Sequence, residues 1–346
     1  MRNKSVLMVV AKYPATHGHT TVINNLCFGL HKLGYRTAIG AFSFDKEPPH
    51  SIEKVTLSKS KLLRYGVSYL DFDIIHSHQS RVNYYLLFKK PTKPIVLHYH
   101  GASSKIQETN LKISMWLYKN KISKIISVSN AGISHMKKIV GDVDATVVYN
   151  GVDTDFYKNN LPQPFKKGEP QLLFVSALRR YKNAKILVNM IPKLLETFPK
   201  AHLQIVGDGE DFDYLKGMIK QGNLEKHVEL TGKITDEELR LRYSSCDIYI
   251  SASEFEMCPV PTLEAMACGK PLLLYSIEPH REIVDVSSAG SVFSSFESSE
   301  IAKKIQEVYK NKAEYSKFAQ RFAESHNWIE ICKQVSNIYD QLTIPK

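Results

Sequence analysis

Two glutamates eight positions apart, Glu256 and Glu264, lie in the stretch Ser251 to Pro271, which reads SASEFEMCPVPTLEAMACGKP. The pattern predicts a strand ending near Ser251, a loop carrying Glu254 and Glu256, and a helix opening near Thr262 with Glu264 in its first turn. Both carboxylates can then face a ligand beyond the carboxyl end of the strand. A helix start also offers unpaired N–H groups and positive dipole to a phosphate or carboxylate. Standing alone the pair carries little weight, because Glu264 could simply favour its own helix terminus and Glu256 could be a solvated loop charge.

Histidines give a second chemistry. His17/His19, His76/His78 and His98/His100 are three HxH pairs, and residues two apart on a strand face the same side. With a carboxylate such as Asp73 they could ligate zinc or iron, which makes a metal-dependent hydrolase on an α/β scaffold the rival reading. Against it, strand ends and turns are where single polar residues line any cleft. Asp71-Phe72-Asp73 and Asp211-Phe212-Asp213 are read as strand-entry and helix-start acids. No Walker loop, nucleophile elbow or Cys/His catalytic set is present, and Gly207-Asp208-Gly209 is a weak phosphate-loop signal.

Short apolar runs alternate with amphipathic stretches along the whole chain, the pattern of βα units around parallel sheets, and the series occurs twice. Strands are predicted at Ser5 to Ala11, Arg36 to Phe42, Asp73 to Ile75, Pro94 to His98, Lys124 to Val128 and Thr146 to Tyr149. A helix is predicted over Thr20 to Leu33. The second series has strands at Leu172 to Ser176, Leu203 to Val206, Val228 to Thr231, Ile248 to Ser251 and Leu272 to Tyr275. Between them Leu161 to Gly168, rich in Pro and Lys, reads as a linker. The expectation is therefore two doubly wound α/β domains, 1–165 and 166–346, with ligands at a shared cleft beyond the strands' carboxyl ends. The last amphipathic pattern, about 328–342, is a candidate to cross back to the first domain.

The 346 residues are 43% hydrophobic and 23% charged, enough for two cores and far from a disordered or fibrous composition. The longest early apolar run, Val6 to Ala11, is too short to span a bilayer and no cleavage pattern follows it. Five scattered cysteines without a CxxC pair suggest neither a disulfide framework nor a thiolate zinc site. A cytoplasmic protein is expected. The net charge of +11 is concentrated in residues 1–165, which hold 22 Lys+Arg against 10 Asp+Glu. Clusters at Lys59, Lys61 and Arg64, at Lys89, Lys90 and Lys93, and at Lys112, Lys119, Lys121 and Lys124 can attract anionic lipid head groups or serve only solubility. Nucleic acid is not expected, because no helix-turn-helix, zinc finger or RNP-like aromatic pattern accompanies the charge.

The chain resembles the family 4 retaining glycosyltransferases of the GT-B fold over most of its length. Their signature, a Glu, seven residues, then Glu-Ala-Met-Ala-x-Gly-x-Pro, is met by Glu256, Glu264, Ala265, Met266, Ala267, Gly269 and Pro271. Other matches follow in order: His17-Gly18, Asp73-Ile74-Ile75-His76-Ser77-His78, His98-Tyr99-His100-Gly101, Val128-Ser129, Asn150-Gly151-Val152-Asp153 with Phe156, and Val206-Gly207-Asp208-Gly209.

The resemblance implies two Rossmann-like domains facing across a cleft, and transfer of a hexosyl group from a UDP- or GDP-linked sugar, with retention and without a metal. No cofactor is implied beyond that co-substrate. The acceptor would be a glycan or a lipid-linked molecule entering over the basic N-terminal half, at the inner face of a membrane. By the same resemblance Glu256 would contact hydroxyls of the donor sugar, Glu264 the ribose, and Lys182 the diphosphate. His100 would approach the donor sugar, Gly18 would let the diphosphate come close to the first helix, and Glu282, in Glu278 to Ile283, would lie near the nucleotide. The chain departs from the pattern where family members read Gly-Arg-Leu and this sequence reads Ser176-Ala177-Leu178. Arg179 or Arg180 is then the candidate for the missing phosphate contact. Met257, Cys258 and Pro259 replace the glycines that usually follow the first Glu. A non-catalytic nucleotide-sugar-binding homologue is the other alternative.

Overall fold

The computed structural model describes residues 4–15, 18–158 and 160–343. His17, named above with Gly18 and in the first histidine pair, lies outside the described residues. The chain divides into two compact units. One runs up to Gly151 and resumes at Trp328; the other is Val152–Asn327.

The first unit is built on seven parallel strands: β1 (Ser5–Tyr13), β2 (Arg36–Phe44), β3 (Glu53–Thr56), β4 (Ile74–Ser77), β5 (Ile95–Tyr99), β6 (Lys124–Ser127) and β7 (Ala145–Val147). Their spatial order is β3-β2-β1-β4-β5-β6-β7. β1 is central, pairing Ser5 with Arg36 of β2 and Val6 with Ile74 of β4. Helices cover both faces of such a sheet, and Val6 to Val10 are accordingly fully buried, a continuous apolar run rather than an alternating one. The strand order reverses beside β1, so the connections leaving β1 and β4 part to opposite faces and open a crevice at their carboxyl ends.

The second unit repeats the plan with β8 (Gln171–Val175), β9 (His202–Val206), β10 (Val228–Leu230), β11 (Ile248–Ser251), β12 (Leu272–Tyr275) and β13 (Gly290–Phe293). The order is β10-β9-β8-β11-β12-β13, all parallel, with its reversal between β8 and β11. Leu172, Phe174, Leu203, Ile205, Ile248 and Ile250 form the middle of its core.

Strands β3 and β13 were not anticipated. β3, Glu-Lys-Val-Thr, is an exposed edge strand with one neighbour, so it needs no apolar run. β13 opens on Gly290, which reads as a turn; in the sheet it is demanded because an added Cβ would lie 2.0 Å from the Leu272 carbonyl oxygen.

The segment expected to link the domains is instead fixed to the second unit. Phe165 N–H donates to Ser245 Oγ (3.1 Å), Ser244 Oγ–H donates to the Leu161 carbonyl (2.8 Å), and Lys167 pairs with Glu229 (2.8 Å). Its prolines and lysines suggested a tether, but these bonds hold it against the second unit. Residues 152–165, placed in the first domain by sequence, belong to the second unit, and the Tyr157 ring lies 5.7 Å from that of Tyr243.

The helix Trp328–Thr343 belongs to the first unit, against the helix His19–Lys32. Gly29 permits that approach, since an added Cβ would fall 2.3 Å from Cys332 Sγ. The same helix ties to the sheet through Tyr339, whose hydroxyl shares a 2.5 Å hydrogen bond with His76 Nδ1, and through Lys4 Nζ–Asp340 (2.6 Å).

Candidate active site

At the reversal point of the second sheet, the loops after β8 and β11 leave side by side and are stitched together. The chain leaving β9 passes under the first loop at Gly207, with φ of 133° and a Cβ position only 1.8 Å from the Ser176 carbonyl oxygen, so that position tolerates no side chain. Leu178 N–H then donates to the Asp208 carbonyl (2.9 Å). The glycines at Gly207 and Gly209 therefore serve close backbone packing. Arg180–Lys182 form one tight turn, ended by Asn183 in the left-handed conformation at φ 54°. Asn183 Nδ2 donates to the Ala252 carbonyl (3.3 Å) and Glu254 N–H to the Tyr181 carbonyl (2.9 Å), linking the two loops.

This stitching sets Lys182 against Glu256 in an ion pair, with side chains only 14% and 16% exposed. Of the arginines, Arg179 is half-buried, its Nη1 donating to Tyr181 Oη (3.4 Å). Arg180 is exposed, and it is its backbone N–H that donates to Glu210 (3.1 Å). A partly desolvated cation and anion attract strongly but surrender much hydration. A ligand offering an anionic group to the ammonium and hydroxyls to the carboxylate can replace each partner in kind.

Glu264 lies deeper than expected. The helix runs Val260–Ala267, with Pro259 before it and Pro261 in its first turn, so Glu264 is its fifth residue rather than a first-turn acid. Proline suits a helix start, which moves the beginning two residues upstream of Thr262. The Glu264 carboxylate accepts from Tyr243 Oη (2.8 Å) and bonds the Tyr157 hydroxyl. Burial raises its pKa to about 7 against those favourable bonds. The two tyrosines were missed in the sequence, because a tyrosine on an amphipathic pattern reads as core.

The helix Glu278–Ser287 adds another residue that sequence reasoning did not single out. His280 is fully buried, its Nδ1–H donating to the Tyr275 carbonyl (2.7 Å). Burial lowers its pKa, with Glu256 and Lys182 near enough to act on it electrostatically. Its Nε2 is buried with no hydrogen-bond partner among the described residues. In the neutral ring that nitrogen is an acceptor. Glu282, two residues on, is half-buried on the same helix.

The first unit's counterpart collects beyond β1, β4 and β5. Gly18 precedes the helix His19–Lys32 with φ of 78°, and an added Cβ would meet nothing within 4 Å. Glycine is required there by the backbone angle, not by space. His100, just past β5, lines a cavity of about 310 Å³ with His19, His78, His98 and residues of the helix Lys105–Tyr118. The imidazoles are layered: His98–His100 centroids are 4.3 Å apart, His76–His78 4.6 Å and His19–His100 4.6 Å. His78 Nδ1 and His100 Nε2 share a 2.9 Å hydrogen bond. Burial, reinforced by mutual repulsion, holds His78, His98 and His100 well below the usual imidazole range and His76 at about 3. At neutral pH the group is uncharged, able to donate to and accept from hydroxyls.

His76, His78 and His98 can each offer a nitrogen with all three within 4.8 Å of one another. The edge of a tetrahedral zinc–imidazole site is about 3.4 Å. Asp73, the carboxylate expected to complete a set, lies at the other end of β4, accepting from Ser5 N–H (2.8 Å) and Ser5 Oγ–H (2.7 Å). The metal-hydrolase reading therefore loses its anionic ligand.

Comparison with known proteins matches the family described as Glycosyltransferase Family 4 over residues 16–156 and the family Glycosyl transferases group 1 over 157–325. An uncharacterized glycosyltransferase of Methanocaldococcus jannaschii is 25% identical, over 98% of each chain. The phosphatidyl-myo-inositol mannosyltransferase of Mycobacterium leprae is 24% identical over 78% of this chain and 74% of its own. The crystal structure of Anabaena Alr3699/HepE in complex with UDP superposes with a TM-score of 0.82 at 20% identity, covering 98% of this chain and 100% of that one. At that identity the likeness shows the fold, which is GT-B.

Proposed function

Because the chain belongs to glycosyltransferase family 4 and is a glycosyltransferase, we propose that it transfers a hexosyl group from a UDP-linked sugar, with retention and without a metal. The observation that carries this reading is the Lys182–Glu256 pair at the reversal point of the second sheet. Lys182 is assigned the diphosphate, with Arg179 as the second cation, since Arg180 is exposed. Glu256 takes donor-sugar hydroxyls, Glu264 the ribose, and Glu282 lies on the nucleotide side. The UDP complex of the Anabaena structure supports uridine as the base; GDP is the alternative.

Retention without an enzymic nucleophile means that the acceptor oxygen attacks the face from which the diphosphate leaves. The C–O bond to the diphosphate breaks as the new glycosidic bond forms, and the leaving phosphate oxygen takes the acceptor's proton. The protein supplies position and charge: Lys182 stabilises negative charge growing on the diphosphate, and Glu256 fixes the ring. His100, neutral in its stack, is assigned a hydrogen bond to the sugar being transferred, and the first unit's cavity receives the acceptor. The name of the mycobacterial relative supports a lipid-linked acceptor. The protein then works in the cytoplasm, held peripherally at the membrane; no described helix is long and apolar enough to cross one.

Radiolabelled transfer or hydrolysis from UDP-sugars, measured in EDTA, tests the proposal. Activity should persist, and Glu256→Gln and Lys182→Met should each lower it at least about 100-fold, the usual effect of removing one preorganised charge contact, with the folded circular-dichroism spectrum retained. Loss of activity in EDTA, or full activity in both variants, refutes it.

A further inference from the structure

Most exposed large apolar side chains of the first unit gather along one edge. On the helix Lys105–Tyr118, Leu111, Ser114 and Met115 are buried while Ile106, Ile113, Trp116 and Leu117 face solvent, Trp116 at 81% and Ile106 at 76% exposure. Ile106, Ile113 and Leu117 are spaced by seven and four, so they form one stripe, with Trp116 beside it. Lys105, Lys112 and Lys119 recur every seven residues along one flank, beyond Trp116, and the helix's one acid, Glu108, lies on that flank four residues before Lys112.

The edge continues past the helix. Lys121 Nζ donates to the carbonyls of Leu87 (2.9 Å) and Phe88 (3.3 Å), which brings exposed Phe88, Lys89 and Lys90 to the helix's end. A Cβ on Gly66 would touch Lys89 Cβ at 3.2 Å, so exposed Arg64 and Tyr65 adjoin in turn. A solvated helix face carrying tryptophan and three branched aliphatics beside a row of lysines marks an interaction surface rather than ordinary exposure.

We propose that this edge docks on an anionic lipid bilayer, the helix Lys105–Tyr118 lying in the interface with Trp116, Ile113 and Leu117 among the head groups and its lysines on phosphates. Tryptophan favours that depth, and lysine stems lie along apolar surface while their ammonium groups reach the charged layer. A second copy of the chain fits poorly, because a two-fold contact through this face would set its lysine rows against each other. Ile106 and Asn110 of the same helix line the cavity that holds His100. A lipid-linked acceptor would therefore meet the cavity without leaving the membrane; this last step rests on the function proposed above.

Vesicle co-sedimentation of the full chain tests the surface. Phosphatidylcholine vesicles with about 30% phosphatidylglycerol should bind it, and raising salt from about 50 to about 500 mM should release it. Lys112→Ser with Lys119→Ser should weaken partitioning about thirtyfold, at about fivefold per lysine. Trp116→Ala should weaken it as well, with melting temperature and UDP binding unchanged in both. Equal binding to neutral vesicles, no binding, or dimerisation lost in Trp116→Ala without vesicle binding would each overturn the proposal. UDP binding measured by calorimetry on the same samples separates the two claims: vesicle binding without UDP affinity sinks the proposed function and leaves the docking face, and the reverse does the opposite.

Discussion

Acidification should destabilise the first unit strongly. His76, His78 and His98 are at most 3% exposed, and burial holds all three neutral in the folded state. A histidine with a depressed native pKa binds fewer protons folded than unfolded once the pH is below the unfolded value of about 6.5. Stability is thus fully present above about 6.5 and falls as the pH drops through it. Each group costs about 1.4 kcal/mol per pH unit below that point, so the three together remove about 4 kcal/mol between about pH 7.5 and about pH 5.5. His100 is left out of this figure because it borders the cavity and is partly exposed. Four kcal/mol is a large share of a domain's typical 5–15. The assay is built in: both tryptophans, Trp116 and Trp328, lie in the first unit, and Trp328 is buried. Urea unfolding followed by tryptophan emission therefore reports that unit, and about three protons should be taken up on unfolding at about pH 5.5. His98→Leu should cut the pH slope by about a third, since neither His98 ring nitrogen has a hydrogen-bond partner among the described residues to lose. A stability change under about 1 kcal/mol across that range, with the fold intact, would refute the account.

Two further outcomes follow from the second unit. Glu264, raised to about 7, binds more protons folded than unfolded between about 4.5 and 7, so it costs stability as the pH rises through that window. Glu264→Gln should be more stable than the parent at about pH 8, by about 2 kcal/mol after allowance for partial exposure, with the gap closing near about pH 5 in parallel urea titrations. Gly207→Ala drives a methyl group to 1.8 Å from the Ser176 carbonyl oxygen; a loss of at least about 3 kcal/mol and early proteolysis of the second unit are expected, and parental resistance to protease would contradict the packing.

The doubly wound sheets were legible because buried parallel strands must be continuous apolar runs, as at Val6 to Val10 and Leu272 to Leu274. β3 and β13 were not, one for its edge position and the other for its opening glycine. The Glu256 position could be read from the strand–loop–helix pattern, and Lys182 from the family resemblance. That they touch could not, because the two loops are joined by the Asn183 side-chain amide on the Ala252 carbonyl and by the Glu254 N–H on the Tyr181 carbonyl, which no residue pattern encodes. Tyr157, Tyr243 and His280 were hidden for a related reason: each is a buried aromatic ring that becomes a polar contact only when the loops are in place. The supposed linker failed because composition says how a segment behaves in isolation, not what it lands on.

One half of the molecule is assembled from the two ends of its chain. During synthesis Val152–Asn327 emerges whole and can complete its unit, while the earlier sheet still lacks the covering helix Trp328–Thr343. Until then Gly29 faces no Cys332 and His76 lacks the Tyr339 hydroxyl. The ribosome thus delivers the later unit finished first, and the nascent amino-terminal half spends that interval with an apolar helix flank uncovered. Chaperone dependence would then centre on the portion made earliest.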